Sequence, residues 1–564
     1  MTTRATWLGL LASALGASSA TAAPKPVAKV AVAAAPAHDG AHAQVTYAGA
    51  IAGGHAKNTP ASPEEDTAKE IEKLLRGPLR GGITGLFVAD ARTGDALFSV
   101  NPDDALNPAS NVKMISTATA LDLLGPDFRY ATRVFGPTPD DAGILHGDVF
   151  LLGSYDPTLV LGDLDELAAQ LAARGIHGVD GDLIIGSDPS RDGLYRATIP
   201  IAVTGGTPGG AAIATTGAGE LVTCKVTATT ARGAMHPRLT YKADTTTDAT
   251  GHPRVTVTIA GAIGKGGEST YQLPTTERTA AAAFALRAAM RAHGVQMAGT
   301  VKTEELGDFI GEAVGRGALP IELARHDSAE LADIVAHVNK WSINWLADRV
   351  IMTASALHDR TRPSMEGAVA AMYGWLARHA HVAKDQLVVD TGSGLSYKTQ
   401  ITTHELVAIV RGAGGFSSGG DLAIAHAWLA SLSVAGRDGT LTHRFRAPDV
   451  RGLLRGKTGT LATAIALSGI LEIDPARPLV FSIVTNTKQP LSARGVRQAH
   501  EQVVGVICKY LARTAKHAVS VASVPVPAPA VLAPEPKVIH PPVPHDLEEA
   551  EPDDALDAET AASQ

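Results

Sequence analysis

From about residue 61 to 515 the chain alternates short apolar runs with amphipathic stretches, the pattern of an α/β (α+β) fold. Residues 85–90 and 96–100, separated by Ala91-Arg92-Thr93-Gly94, predict two strands joined by a tight turn. A helix is expected next, with Asn107 as its N-cap, Pro108 in its first position and Gly125-Pro126 as its stop. Residues 145–186 alternate strand patterns with a helical pattern at 164–174. Residues 223–263 are Thr- and Val-rich and strand-like, and 279–293 return to a helical period. The run 465–473 is continuously apolar, as expected of a buried strand, with Lys457-Thr458-Gly459-Thr460 on an edge strand just before it. Gly459 there is expected to allow close approach of a substrate backbone.

Both ends break this pattern. Residues 1–23 have the form of a secretory signal, with Arg4, an apolar run from Trp7 to Gly16 and the small-residue site Ala20-Thr21-Ala22. Residues 24–60 are rich in Ala, Pro, His and Gly without period and predict a flexible linker. Residues 519–564 are Pro-rich and then acidic, a composition that cannot bury enough apolar surface to offset its ordering entropy. His540 and His545 in that tail are expected to be solvated, not metal ligands. No segment is apolar for long enough to span a bilayer, so an exported protein without a transmembrane segment is expected, periplasmic or extracellular at the cell wall.

With 564 residues, the chain is long enough for two or three domains. A formal charge of −8 and 4% aromatic residues argue against nucleic acid as a partner. Cys224 and Cys508 lie far apart in segments read as different domains, and two buried free thiols are expected in preference to a disulfide.

Three short elements carry the chemistry: Ser110-Asn111-Val112-Lys113, Ser342-Ile343-Asn344 and Lys457-Thr458-Gly459. In the expected helix Ser110 lies in the first turn, where free N–H groups favour a developing anion, and Lys113 lies one turn along on the same face. An ordinary lysine is charged near neutrality, so Lys113 can serve as a base only where a desolvated, cation-rich pocket removes its proton. The Ser-x-x-Lys spacing alone is equally that of a capping serine and a solvated lysine.

Two other motifs compete. Gly456-Lys457-Thr458 ends like a phosphate loop, but Gly452 is one residue too close and a strand, not a helix, is expected there. Asp390-Thr391-Gly392 is the triplet of an aspartic protease, but the chain has no second copy of it, so Asp390 is expected to tie down the turn at Gly392-Ser393-Gly394.

Together the three elements and their surroundings resemble the D-alanyl-D-alanine carboxypeptidase/endopeptidase family, the class C type-4 low-molecular-mass penicillin-binding proteins. Supporting phrases are Gly153-Ser154-Tyr155-Asp156-Pro157, Asn339-Lys340, Gly392-Ser393-Gly394-Leu395-Ser396 and Gly436-Arg437-Asp438-Gly439-Thr440-Leu441, and the likeness covers roughly residues 65–512. It implies a β-lactamase/transpeptidase-like domain split in sequence into 61–144 and 320–515. An inserted segment at 145–319 lies between them, with a small β subdomain around 205–268.

The resemblance also implies roles. Ser110 attacks the carbonyl between two D-alanines with Lys113 as general base, Ser342 passes the proton to the leaving amine, and Asn344 holds Lys113. Lys457 attracts the terminal carboxylate, which Thr458 and Thr460 hydrogen-bond beside Gly459, and the N–H groups of Ser110 and Thr460 form an oxyanion hole. No metal or organic cofactor is called for. The partners implied are peptidoglycan peptides and β-lactam antibiotics; oligomeric state is left open.

One departure concerns the subsite for a diamino acid, where the family's arginine is replaced by Tyr397 with Lys398 beside it, and Tyr155 stands before Asp156. Asp156 and Lys398 are therefore the expected contacts, without a forked bidentate geometry. Two rival readings are a serine β-lactamase, for which no Glu-x-x-x-Asn element follows Ser342, and a non-catalytic peptidoglycan-binding scaffold.

Overall fold

A computed structural model describes residues 44–47, 62–186, 199–216, 221–247, 253–273, 278–304, 320–417, 420–447, 450–488 and 492–514. The expected signal at 1–23, the tail at 519–564 and most of the 24–60 stretch lie outside them.

At the centre is a seven-stranded sheet in the order Thr46–Tyr47, Ala96–Val100, Ile83–Asp90, Leu479–Asn486, Ala464–Leu471, Leu454–Leu461, Ser433–Val434, antiparallel throughout. Strand periodicity of two divides its side chains between two cores. Leu86, Val88, Phe481 and Ile483 pack with Ile71 and Leu75 of the helix Pro63–Arg76 and with Val503 and Ile507 of the helix Ala493–Thr514. Phe87, Ala89, Val480 and Val484 face the other way, onto Val112, Ile115, Ile334 and Val350. That second core belongs to a helical layer that includes Lys113–Leu124, Leu331–Trp341 and Asn344–Asp359. A one-residue slip of any central strand would exchange the two sets, and each side chain fully buried is worth about 1.5–3 kcal/mol, so the register is strongly fixed. Thr46–Tyr47, inside the stretch expected to be a flexible linker, instead pairs with the edge strand Ala96–Val100, and Val45 is buried beside it. An unpaired edge offers backbone groups that any neighbouring extended segment can satisfy.

Between the helices Lys113–Leu124 and Leu331–Trp341 the chain builds further sheets around a separate apolar core. A five-stranded sheet runs in the order Val301–Glu304, Leu183–Gly186, Val149–Leu152, Ala131–Gly136, Ile321–Asp327. The helices Leu161–Ala173 and Arg278–Ala292 occupy the stretches expected to be helical. The Thr- and Val-rich stretch forms a four-stranded sheet centred on Pro253–Ile263. Ala131–Gly136 and Ile321–Asp327 pair with each other, and Val134 and Leu323 lie in the insert's core. Just beyond these two strands' paired ends, Ser328 N donates to Tyr130 O at 2.9 Å and Tyr130 N donates to Ser328 Oγ at 3.0 Å. Apolar pattern alone does not say which of two adjoining cores a strand joins. No disulfide joins Cys224 and Cys508, of which Cys508 is buried and Cys224 only partly so, and among the described residues no helix is long and apolar enough to cross a membrane.

His500 is fully buried where the helix Ala493–Thr514 crosses the sheet, with Nε2 2.8 Å from Thr485 Oγ1, which in turn lies 2.9 Å from Thr84 Oγ1. Burial, aided by the charge of Arg444, pushes the imidazole down to about 3. An unfolded histidine takes up its proton near pH 6.5, so between about pH 6.5 and 3 the unfolded chain binds one proton more than the folded one. Stability is thus lost as pH falls through that window. From pH 7.5 to pH 5, wild type should lose about 2 kcal/mol more stability than His500→Gln, as measured by urea unfolding at the two values.

Candidate active site

Ser110 does not sit in the first turn of an α-helix. It lies in a 3-10 turn, Ala109–Val112, and the α-helix starts only at Lys113. Asn107 explains the difference. Its Oδ1 accepts from Ala109 N at 2.8 Å, its backbone N–H donates to Asn486 Oδ1 at 2.7 Å, and its Nδ2 donates to Ser396 O at 2.8 Å. Held from three sides, the chain enters the turn with Ala109 at φ +49°, a left-handed conformation that a non-glycine residue adopts at a cost of order 1 kcal/mol.

That turn sets up the first pair of functional groups. Lys113 is completely buried, and its Nζ bonds Ser110 Oγ at 2.9 Å, the Oδ1 of Asn344, and Ser393 O at 2.8 Å. Asn344 begins the helix Asn344–Asp359, and Ser342, two residues earlier, ends Leu331–Trp341 in the left-handed region at φ +58°. The second pair forms there. Lys457, also fully buried, donates to Ser342 Oγ and to Thr458 O, each at 2.8 Å. Asn111, with its amide oriented to satisfy both neighbours, donates to Lys457 O at 2.8 Å and accepts from Ser468 Oγ at 2.7 Å, which locks the nucleophile turn to the sheet.

The strand carrying Lys457 is next to the sheet edge, and only Arg455 and Gly456 pair with the two-residue strand Ser433–Val434. Among the described strands none pairs with its outer edge from Lys457 to Leu461. Lys457 lies inside a strand, so the phosphate-loop reading has no helix to open. At Gly459 a Cβ would lie 2.5 Å from Pro108 O and 3.2 Å from Ala109 Cβ. Its bareness lets the strand press against the turn that bears Ser110. Thr458 and Thr460 are half-buried, in alternation with buried Lys457 and Gly459, and Thr458 donates to Thr440 Oγ1 at 3.0 Å.

Further residues brace this arrangement, among them Lys340 and Asp438 of the supporting phrases and Asp348, which no motif contains. Lys340 Nζ pairs with Asp438 Oδ2 at 2.7 Å and donates to Leu432 O, while Asp438 Oδ1 accepts from Val434 N. This ties the helix that ends in Ser342 to the sheet edge beside Lys457. Asp348, one turn beyond Asn344, accepts from Ser393 N at 2.8 Å and so holds the carbonyl that faces Lys113; burial raises its carboxyl pKa. The turn at 392–394 is thus secured by Asp348, whereas Asp390 accepts from Ser396 Oγ and Thr399 Oγ1, later in the chain than expected. An acid four residues along a helix leaves no mark in a motif.

The two expected subsite residues part company. Lys398 is exposed, four residues past Gly394. Asp156 is fully buried; its Oδ1 accepts from Thr158 N and Oγ1, and its Oδ2 has no hydrogen-bond partner. Burial raises it to about 6. It presents no carboxylate oxygen to solvent, so the expected direct contact with a substrate amine is not available in this structure. Tyr155 just before it is also buried, at φ +63° in the left-handed region.

Known proteins match over most of this length. The closely similar relatives include a D-alanyl-D-alanine carboxypeptidase of Actinomadura sp. (strain R39), 30% identical over 463 residues that cover 74% of this chain and 80% of that protein. Carboxypeptidase DacB of Mycolicibacterium smegmatis is 29% identical over 172 residues, 30% of this chain and 36% of that protein. In fold, the chain is similar to penicillin binding protein 4 (dacB) from Haemophilus influenzae, solved in complex with a novel β-lactam, with a TM-score of 0.58 at 18% identity, over 78% of this chain and 99% of that one. The profile of the D-Ala-D-Ala carboxypeptidase 3 (S13) family matches residues 67–507, and the chain belongs to that family of peptidases.

Proposed function

We propose that this protein is a serine-type D-Ala-D-Ala carboxypeptidase/endopeptidase that hydrolyses peptidoglycan stem peptides and cross-links through an acyl-enzyme on Ser110. The observation that carries the reading is the partner set of Lys113. Two of its partners, Asn344 Oδ1 and Ser393 O, can only accept, while the third, Ser110 Oγ, can also donate. Ser110 Oγ, 2.9 Å from the amine, is thus the one partner that can pass it a proton. Ser110 then gives its proton to Lys113 as Oγ attacks the carbonyl carbon, and Ser342, hydrogen-bonded to Lys457, returns a proton to the departing amine. Water attacks the acyl-enzyme and releases the shortened peptide.

The N–H groups of Ser110 and Thr460 are the oxyanion donors in this scheme, and the contact of Gly459 with the Pro108 carbonyl supports it by pressing their two segments together. Penicillin acylates Ser110 by the same attack; penicillin binding protein 4 of Haemophilus influenzae, complexed with a β-lactam, has the same fold. Export through the expected leader at 1–23 puts the enzyme in the compartment of its substrate.

Labelled penicillin should attach stably at one equivalent per chain, and Ser110→Ala should abolish the label; labelling that survives this change refutes the assignment. A second expectation concerns the close approach. Gly459→Ala should cost about 1–3 kcal/mol in unfolding free energy and slow penicillin acylation about a hundredfold, because the added methyl drives the strand off the nucleophile turn. Stopped-flow acylation together with a urea melt separates the two effects.

A further inference from the structure

We propose that Arg497, on the helix Ala493–Thr514, binds the terminal carboxylate of the substrate as a second cation beside Lys457. Resting on the function proposed above, this names a residue that none of the three motifs contains. Arg497 Nη2 donates to Thr460 Oγ1 at 3.0 Å, across 37 residues of sequence. The arginine is half-buried, at the end of the helix that packs against the sheet face opposite the helical layer.

Strand geometry explains why a cation is useful at that place. The outer edge of the Lys457 strand is open from Lys457 to Leu461 among the described strands, and a peptide laid along it is held by main-chain hydrogen bonds. On one face lie Lys457, Gly459 and the Ser110 turn, where the scissile carbonyl must be. The carboxylate that ends the peptide lies one residue on, within reach of the hydroxyls of Thr458 and Thr460, the latter bonded to Arg497.

The hydrogen bonds favour Thr460 as the carrier. A hydroxyl has one proton to give, and Thr458 gives its proton to Thr440 Oγ1. Thr460 instead accepts from Arg497, which leaves its own proton for an incoming anion. The guanidinium adds a forked, permanently charged donor matched to a carboxylate's two oxygens. A basic residue on an amphipathic surface helix otherwise reads as solvated polar face, which is why position 497 carries no signal in the sequence.

The test uses the full chain, as wild type, Arg497→Gln and Arg497→Lys, with two substrate pairs that differ only in the carboxylate. One pair is a D-Ala-D-Ala peptide and its C-terminal amide; the other is penicillin G and its methyl ester. Wild type should prefer each acid. Arg497→Gln should lose roughly ten- to a hundredfold in kcat/KM and in acylation rate on the acids, mostly through KM for the peptide, and little on the amide or ester. Arg497→Lys should recover part of the loss. Equal loss on acid and neutral partner, no loss on either, or no acid preference in wild type would overturn the role of Arg497 while leaving the acyl-enzyme reading intact. A wild-type chain that neither cleaves the peptides nor takes up penicillin would overturn both.

Discussion

The structure turns on a lysine amine held entirely out of water. Lys113 reaches three oxygens supplied by segments near residues 110, 344 and 393, and no two of those segments are neighbours in sequence. An amine in such a place is costly unless every hydrogen-bonding site on it is met. The fold therefore has to bring the three segments to within about 3 Å of one point before the site exists, and an error of an ångström there costs more than the loss of any one surface contact.

Most of the surrounding structure can be understood as meeting that demand. Asn107 and Asn486 fix where the nucleophile turn leaves the sheet, through two bonds of 2.7 and 2.9 Å between them. Asp348 pins the backbone whose carbonyl faces the amine, and the buried pair Lys340–Asp438 joins the helix ending in Ser342 to the sheet edge. Ala109 and Ser342, both non-glycine residues in the left-handed region, sit beside the reacting groups. Strain of this kind persists only where neighbours over-determine the backbone, and it gathers at sites where position matters more than local comfort.

Much of this was legible in the sequence because it is written in local periods. The alternation of Leu86, Phe87, Val88 and Ala89 forecasts a strand buried on two faces, and Gly125 ends its helix at φ +84° as a stop signal should. The motif residues Ser110, Lys113, Ser342, Asn344 and Lys457 do meet in space. What escaped is set by long-range packing. The 3-10 entry to the Ser110 helix depends on Asn486 and Ser396, each hundreds of residues from Asn107. Gly459 is bare because of Pro108, and the strands Ala131–Gly136 and Ile321–Asp327 join the insert because their partners lie there. No local pattern encodes a neighbour that distant.

Asp156 shows the same principle from the side of cost. A carboxyl raised to about 6 in the fold, against about 3.9 when unfolded, keeps its full stability below the lower value and loses it as pH rises through the upper one. Above pH 6 the buried charge costs on the order of 3 kcal/mol, the two-unit shift converted at 1.36 kcal/mol per unit. Its Oδ1 is well met by Thr158, so the cost resides in Oδ2, which is buried without a partner. Packing alone does not account for it, since an asparagine would keep the Thr158 bonds without the charge. A charge retained against such a cost, next to a strained Tyr155, is the opposite of what a chain optimised for stability contains. In the Lys113 site burial is matched group for group; at Asp156 it is not, and that contrast separates a completed site from one whose second oxygen the fold leaves unsatisfied.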